Sequence, residues 1–340
     1  MLSPASQVLI RNEHLFSEGR WLLVNPTDGF IFQQLSNPNI CGFHQFYDVY
    51  QQTGEGDKQY FGAAYQAQEA FDGAVIYMPK AKEHAQMLIA NAAACLKPGA
   101  LLMLVGENKG GVRSAPKLLE AYGNGTNKLD SARHCSLFAT QLKDQSFSFN
   151  LKKWEKQLTF TVNNVALTIC SLPGVFSHGE LDSGTQMLLD NVTQVPNGRI
   201  LDFASGAGVI GCYLAKRNPS IRLLMTDVSA LALHCSKQSA ELNGLAADRT
   251  EVIPSNGLGN VTGKFNAVYT NPPFHTGLKT DYSVTSGFIQ QLASMLQKPA
   301  SLTLVANQFL SYEPLMQSHI GPTKTLALTN KFALYQADLK

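Results

Sequence analysis

Three groups of residues in the second half of this 340-residue chain have types and spacings suited to chemistry. The first is Asn271-Pro272-Pro273-Phe274, which ends the apolar run FNAVYT. A residue before proline is kept out of the helical region, and neither proline has an N–H to donate. The run therefore reads as a strand that stops at a stiff, extended corner. That corner offers the Asn271 side-chain oxygen and a backbone carbonyl as paired acceptors, with the Phe274 ring beside them. Paired acceptors and a flat ring suit a planar substrate carrying an amino group. A proline-rich loop that merely ends a strand is the plainer reading of the same four residues.

The second and third groups suggest a nucleoside. Residues 199–211, RILDFASGAGVIG, read as a strand, a glycine turn and a helix over about 208–217. Gly206 and Gly208 permit backbone conformations and a close approach that a Cβ would block, and the helix start behind them offers free N–H groups. The next apolar run, IRLLMTD, ends at Asp227, where a carboxylate can accept hydrogen bonds from both hydroxyls of a ribose. Gly206 to Gly211 also satisfies G-x-G-x-x-G to the letter, so an NAD-type oxidoreductase stays open. Asp202 points the other way. It closes the first strand where a pyrophosphate would approach, and a carboxylate there suits a cation such as the sulfonium and ammonium of S-adenosylmethionine. As a cap for its own turn, Asp202 would be compatible with either ligand. Asn256, on the loop after EVIPS, is placed to meet an adenine, or is an ordinary turn residue before Gly257.

These residues need strands to carry them, and the chain contains one plan of strands and helices twice. FDGAVIYMP (71–79), a helix over about 81–96 and ALLMLVGEN parallel FNAVYTNPP (265–273), a helix over about 283–297 and SLTLVANQF. Earlier, Gly19-Arg20-Trp21-Leu22-Leu23 parallels Gly198-Arg199-Ile200-Leu201-Asp202. Alternating strands and helices imply an α/β fold, a parallel sheet with helices on both faces. Only the second copy has the glycine turn and the Asn-Pro-Pro-Phe corner. Runs 156–161 and 164–170, separated by Asn163-Asn164, read as a hairpin leading into the second domain.

Composition narrows the class. Hydrophobic residues make up 44% and charged residues 15%, enough apolar side chain for packed cores rather than disorder. No apolar run approaches the ~20 residues a membrane helix needs, and the N-terminus does not read as a secretory signal. The six cysteines are widely spaced, without C-x-x-C or metal-ligand spacing. They read as reduced thiols of a cytoplasmic protein with no metal. The net charge of +2 is unremarkable. Within 109–156, however, nine basic residues face four acidic ones, which is either a solvated surface or a place for a polyanion.

Asn-Pro-Pro-Phe after such a strand resembles a motif of amino-group methyltransferases, and LDFASGAG resembles their S-adenosylmethionine loop. More specifically, PGVFS (173–177), LDSGTQ (181–186) and NPPFHTG (271–277) resemble the small-subunit ribosomal RNA guanine-N2 methyltransferase C family (RsmC). The resemblance implies two tandem Rossmann-like class I methyltransferase domains. Residues 1–160 would be a degenerate copy for RNA binding or structural support, and 161–340 the catalytic domain. It implies methyl transfer to the N2 amine of a guanine in 16S rRNA, with Asn271, Pro272, Pro273 and Phe274 as catalytic residues. Asp202 and Gly206 would hold the methionine end and Asp227 the ribose, with Ala204, Gly208 and Asn256 completing the cofactor site. Gly184 and Gln186 would open a helix over the cofactor's amino-acid tail. The expected partner is 16S rRNA, the small subunit or its assembly intermediate, met by a monomer. The family loop usually reads D-x-G-C-G-x-G, so Ala204 and Ser205 are departures, tolerable if position 204 needs no positive φ. Other amine methyltransferases, acting on a protein glutamine or on DNA adenine, share the tetrapeptide.

Overall fold

A computed structural model describes residues 1–54, 56–272 and 282–340. The chain forms two compact units, Met1–Glu155 and Lys156–Lys340. The hairpin starting at Lys156 goes with the second unit, so the division falls just before the 160/161 boundary expected from sequence. The first unit runs α1 (Pro4–Arg11), β1 (Trp21–Val24), β2 (Ile40–His44), α2 (Tyr47–Gln52), β3 (Gln59–Phe61), β4 (Phe71–Tyr77), α3 (Lys82–Ala94), β5 (Leu96–Glu107), α4 (Ala115–Leu119), β6 (Gly123–Ala132) and β7 (Cys135–Leu142). The second begins with the hairpin β8 (Lys156–Val162) and β9 (Val165–Ser171). It continues α5 (Ser183–Asp190), β10 (Arg199–Phe203), α6 (Val209–Arg217), β11 (Arg222–Asp227), α7 (Ala230–Leu242) and β12 (Thr250–Pro254). It closes with β13 (Phe265–Thr270), α8 (Tyr282–Ser294), β14 (Leu296–Asn307), α9 (Glu313–His319), β15 (Thr323–Leu328) and β16 (Phe332–Leu339).

Each unit holds a seven-stranded sheet, and the two orders match: β3-β2-β1-β4-β5-β7-β6 and β12-β11-β10-β13-β14-β16-β15. The first five strands of each are parallel. The last two are antiparallel, which the expectation of a parallel sheet did not include. In the first unit a two-residue turn makes this possible. Arg133 and His134 both take positive φ, 50° and 61°, a mirror-image turn whose twist matches the strands it joins. The β8–β9 hairpin turns the same way at Asn163 and Asn164, with φ of 47° and 63°, as their residue type suggests.

The inner parallel strands are largely buried on both faces, so their sequences are near-continuous apolar runs, whereas the edge strands β3 and β12 are part-exposed. In the first unit Leu22, Val24, Ile76 and Leu104 pack with Leu88 and Ile89 of α3. Their strand neighbours Leu23, Val75 and Val105 point oppositely, towards Val8 and Leu9 of α1. In the second unit Leu201, Val268 and Leu304 share a core with Ile289 and Leu292 of α8 and Met316 of α9.

The repeat reaches individual atoms. Arg20 lies over the Phe71 ring at 4.3 Å and Arg199 over Phe265 at 4.5 Å. The Arg20 N–H donates to the Asp72 carboxylate at 2.8 Å, and the Arg199 N–H to the Asn266 side-chain oxygen at 3.0 Å. The residue after the first strand is left-handed in both units, Asn25 at φ 53° and Ala204 at 57°.

Candidate active site

The site lies at the carboxyl ends of β10, β11 and β13, where open α/β sheets bind ligands. After Phe203 the chain makes a turn with positive φ at Ala204, Gly206 and Gly208 (57°, 55° and 81°). Position 204 thus needs the conformation that alanine resists, contrary to the condition set for its tolerance. Neighbours hold the turn. The Ser205 N–H donates to the Thr226 carbonyl (2.9 Å) and the Gly206 N–H to Asp227 Oδ2 (2.9 Å). From α7, Ser236 Oγ donates to the Gly206 carbonyl and meets Ser205 Oγ, each at 3.0 Å. A Cβ on Gly208 would come within 3.0 Å of the Ser236 backbone, whereas one on Gly206 would meet nothing within 4 Å. Gly208 is needed for packing, and Gly206 faces open space where a ligand can approach.

The two aspartates play different parts. Asp227 is half-buried at the end of β11, its Oδ1 accepting from the Ser229 N–H at 2.9 Å. Burial raises its pKa, while the N–H groups of Ser229, Gly206 and Val228 oppose the rise. Each oxygen keeps a lone pair for a ribose hydroxyl. Asp202 is fully buried under the turn, and its Oδ2 accepts from the Gly211 N–H at 2.8 Å. Its Oδ1, also buried, has no hydrogen-bond partner among the described residues. Burial pushes this carboxyl up to about 8, eased by the Gly211 N–H and reinforced by Asp227. Taking charge is costly for such a group alone and favourable beside a cation. An unsatisfied carboxylate under an open glycine turn, with Asp227 alongside, fits the cationic end and ribose of S-adenosylmethionine.

Asn256 lies exposed in the turn after β12, next to Pro254, which pairs in register with Asp227. On α5, Gly184 is buried against Asp182 and Phe332. The Gln186 side chain runs along the helix to Asp190 Oδ1 at 2.7 Å and does not meet Asn271. At the end of β13, Thr270 Oγ1 donates to the Phe203 carbonyl (2.7 Å), tying this strand to β10. Asn271 is half-buried and Pro272 buried, and Pro273 and Phe274 lie outside the described residues. The Asn271 Nδ2 donates to Asp182 Oδ2 at 2.9 Å and to Thr185 Oγ1 at 3.0 Å. Sequence reasoning included Asp182 and Thr185 only within the LDSGTQ motif, without a role at Asn271, and passed over Ser236. Asp182 three residues before Thr185, ahead of an apolar run, is a helix-start signal. Nothing local announces the contact with Asn271, 89 positions away.

The family model described as Methyltransferase small domain matches residues 166–336, and that described as Methyltransferase small domain N-terminal matches residues 6–158. With the strand order, the glycine turn and the Asn-Pro corner, they define a class I, S-adenosylmethionine-dependent methyltransferase. The chain is 56% identical over 342 residues to the ribosomal RNA small subunit methyltransferase C of Pseudoalteromonas atlantica, covering 98% of this chain and 99% of that protein. It is 40% identical over 338 residues to the protein of the same name from Aeromonas hydrophila, covering 98% of each. The chain belongs to the ribosomal RNA small subunit methyltransferase C family. Its fold matches that of the T. thermophilus 16S rRNA N2 G1207 methyltransferase (RsmC) in complex with AdoMet and guanosine. The TM-score is 0.86 at 22% identity, covering 99% of this chain and 92% of that one. The oxidoreductase alternative falls. Both family models and the relatives matched over nearly the whole chain are methyltransferases, and the inward packing of Gly211 against Met225 and Asp202 is common to both kinds of glycine turn.

Proposed function

We propose that this chain transfers a methyl group from S-adenosylmethionine to the exocyclic N2 amine of one guanine in 16S rRNA, the G1207 position named for the T. thermophilus protein. The second unit carries the reaction, and the protein works as a cytoplasmic monomer on the small subunit or its assembly intermediate. Among the described residues no helix is long and apolar enough to cross a membrane. The observation that carries the reading is the Asn271 amide at the end of β13, held by its nitrogen so that its oxygen is the atom left for a substrate amine.

An aromatic amine is a weak nucleophile because its lone pair is delocalised into the ring. Asn271 Oδ1 and the Pro272 carbonyl accept its two N–H groups and hold the nitrogen pyramidal, its lone pair in line for transfer. Alignment is the main resource, with electrostatics second. S-adenosylmethionine, when bound, supplies the methyl on a sulfonium. Asp227 takes the ribose, and Asp202 and the Gly206 turn the methionine end, with Ala204 and Gly208 shaping that turn. Asn256 would meet the adenine, and Gly184 and Gln186, on α5, would cover the amino-acid tail. Phe274 stacks on the guanine once it leaves its helix. The methylated ammonium is acidic and loses its proton to water.

In the first unit the strand registers put buried His44 where the second has Asp227, and Tyr77 where it has Asn271. Burial holds His44 down to about 4, so it is a neutral imidazole bonded to Gln59 at 2.7 Å. This supports a first unit that takes no cofactor and serves RNA binding and support. Radiolabelled methyl transfer to naked 16S rRNA and to isolated small subunits, followed by mapping of the modified nucleotide, tests the reading. Label at a guanine N2 is expected. Label on protein glutamine or DNA adenine instead would overturn it.

A further inference from the structure

We propose that Asp182 and Thr185 are positioning residues for the reaction, fixing which way round the Asn271 amide faces. This rests on the amine-methyltransferase reading above and extends it to residues outside the Asn-Pro corner. Asp182 is the N-cap of α5, and its Oδ2 accepts from the Thr185 N–H at 2.8 Å. The same oxygen accepts from Asn271 Nδ2 at 2.9 Å, and buried Thr185 adds a second acceptor at 3.0 Å. A carboxylate only accepts, so the Asn271 atom against it must be the nitrogen. The reversed amide would set oxygen against oxygen. Oδ1 is thereby committed to the other side, as an acceptor for a substrate N–H.

The first unit has the same scaffold with a hydroxyl, and not an amide, on the strand. Ser3 is the N-cap of α1 and accepts from the Ser6 N–H at 3.2 Å. Ser6 Oγ meets the Tyr77 hydroxyl, on the strand matching β13, at 2.8 Å. Ser6 Oγ gives its one proton to Asp28 Oδ2 at 2.6 Å, so in this contact it accepts from the Tyr77 hydroxyl, and no amide is present to be turned one way or the other. A helix-to-strand contact that both units use for packing meets, in the second, an amide whose two ends the acceptors of α5 distinguish.

The test pairs Asp182→Ser with Thr185→Val. Serine is a good N-cap, so α5 keeps its start, but its shorter side chain does not reach Asn271. Valine keeps the shape of Thr185 without the acceptor. In the double variant kcat should fall on the order of a hundredfold, as for a reacting group displaced by about an ångström. S-adenosylmethionine affinity by calorimetry and the melting temperature should stay put. Asp182→Asn, whose amide oxygen can take both bonds, should recover most of the rate lost in Asp182→Ser. In an Asn271→Ala background the same pair of substitutions should cost no further rate, because the group they orient is gone. Wild-type turnover in the double variant, an equal loss in the Asn271→Ala background or no recovery with Asp182→Asn would each overturn the positioning role. Failure of the wild-type chain to methylate RNA would overturn the functional reading instead.

Discussion

The proposed mechanism gives Asn271 and Asp202 different tasks, and each makes a prediction of its own. In the proposed mechanism Asn271 faces the amine, so Asn271→Ala should keep S-adenosylmethionine binding and lose most methyl transfer. By analogy with an oxyanion-hole donor, the loss is about 2.7–4 kcal/mol of transition-state stabilisation. Single-turnover kinetics beside calorimetry measure both, and near-normal turnover would remove Asn271 from the chemistry. Asp202 makes its prediction through pH. Its folded pKa, about 8, lies above the ordinary carboxylate value, so between these two limits the folded chain holds a proton that the unfolded chain has released. Stability then falls as pH rises through that window, and the penalty is complete above the folded pKa. Asp202→Asn keeps an acceptor for the Gly211 N–H and cannot titrate. Denaturant unfolding across the window should show a downward slope for wild type that the variant lacks. Equal slopes would mean that Asp202 stays ionised under the turn.

At the scale of elements, the glycine turn carries an unusual residue. Ala204 sits at φ 57°, where an L-residue costs roughly 1–2 kcal/mol. The first unit places Asn25 there, a type that visits this region more readily, with its side-chain oxygen accepting from the Gln45 N–H at 3.3 Å. Ala204→Gly should relieve the strain while giving back about 0.4–1 kcal/mol through a floppier unfolded chain. The net expectation is a gain of roughly 0.5–1 kcal/mol, or a few degrees in melting temperature. A lower melting temperature would show that the surroundings favour the methyl group. Local backbone rules made much of this element legible. The glycines, the strand before them and the Asn-Pro stop are all short-range constraints. The left-handed state of Ala204 was not legible, because its residue type argues against it and only the register with β11 and the clamp from Ser236 impose it.

Across the whole molecule, one sheet order occurs twice, and only the second copy carries the glycine turn and the Asn-Pro corner. Lys109, Arg113 and Lys117 are exposed just past the carboxyl end of β5, within the basic stretch of the first unit. If that stretch meets RNA phosphates, each contact releases counterions and makes affinity fall with salt. Replacing the three together with glutamine should weaken RNA binding and flatten its salt dependence. S-adenosylmethionine affinity and melting temperature should not move. Unchanged RNA affinity and salt slope would make these lysines and the arginine a solvated face of a purely supporting unit.

The amino-acid sequence by itself determined the periodic strands and helices, their repetition, the glycine turn and the stiff Asn-Pro corner. Each follows from φ and ψ limits or from the spacing of apolar residues within a few positions, so the local chain is sufficient to specify it. Only the tertiary structure decided that the sixth and seventh strands run antiparallel and that Asp202 lies sealed beneath the turn. It likewise decided that Asp182 and Thr185, brought from the start of α5, meet the Asn271 amide. Those outcomes depend on which distant elements share a core, and hydrogen bonds across 86 and 89 positions leave no periodic trace in the chain.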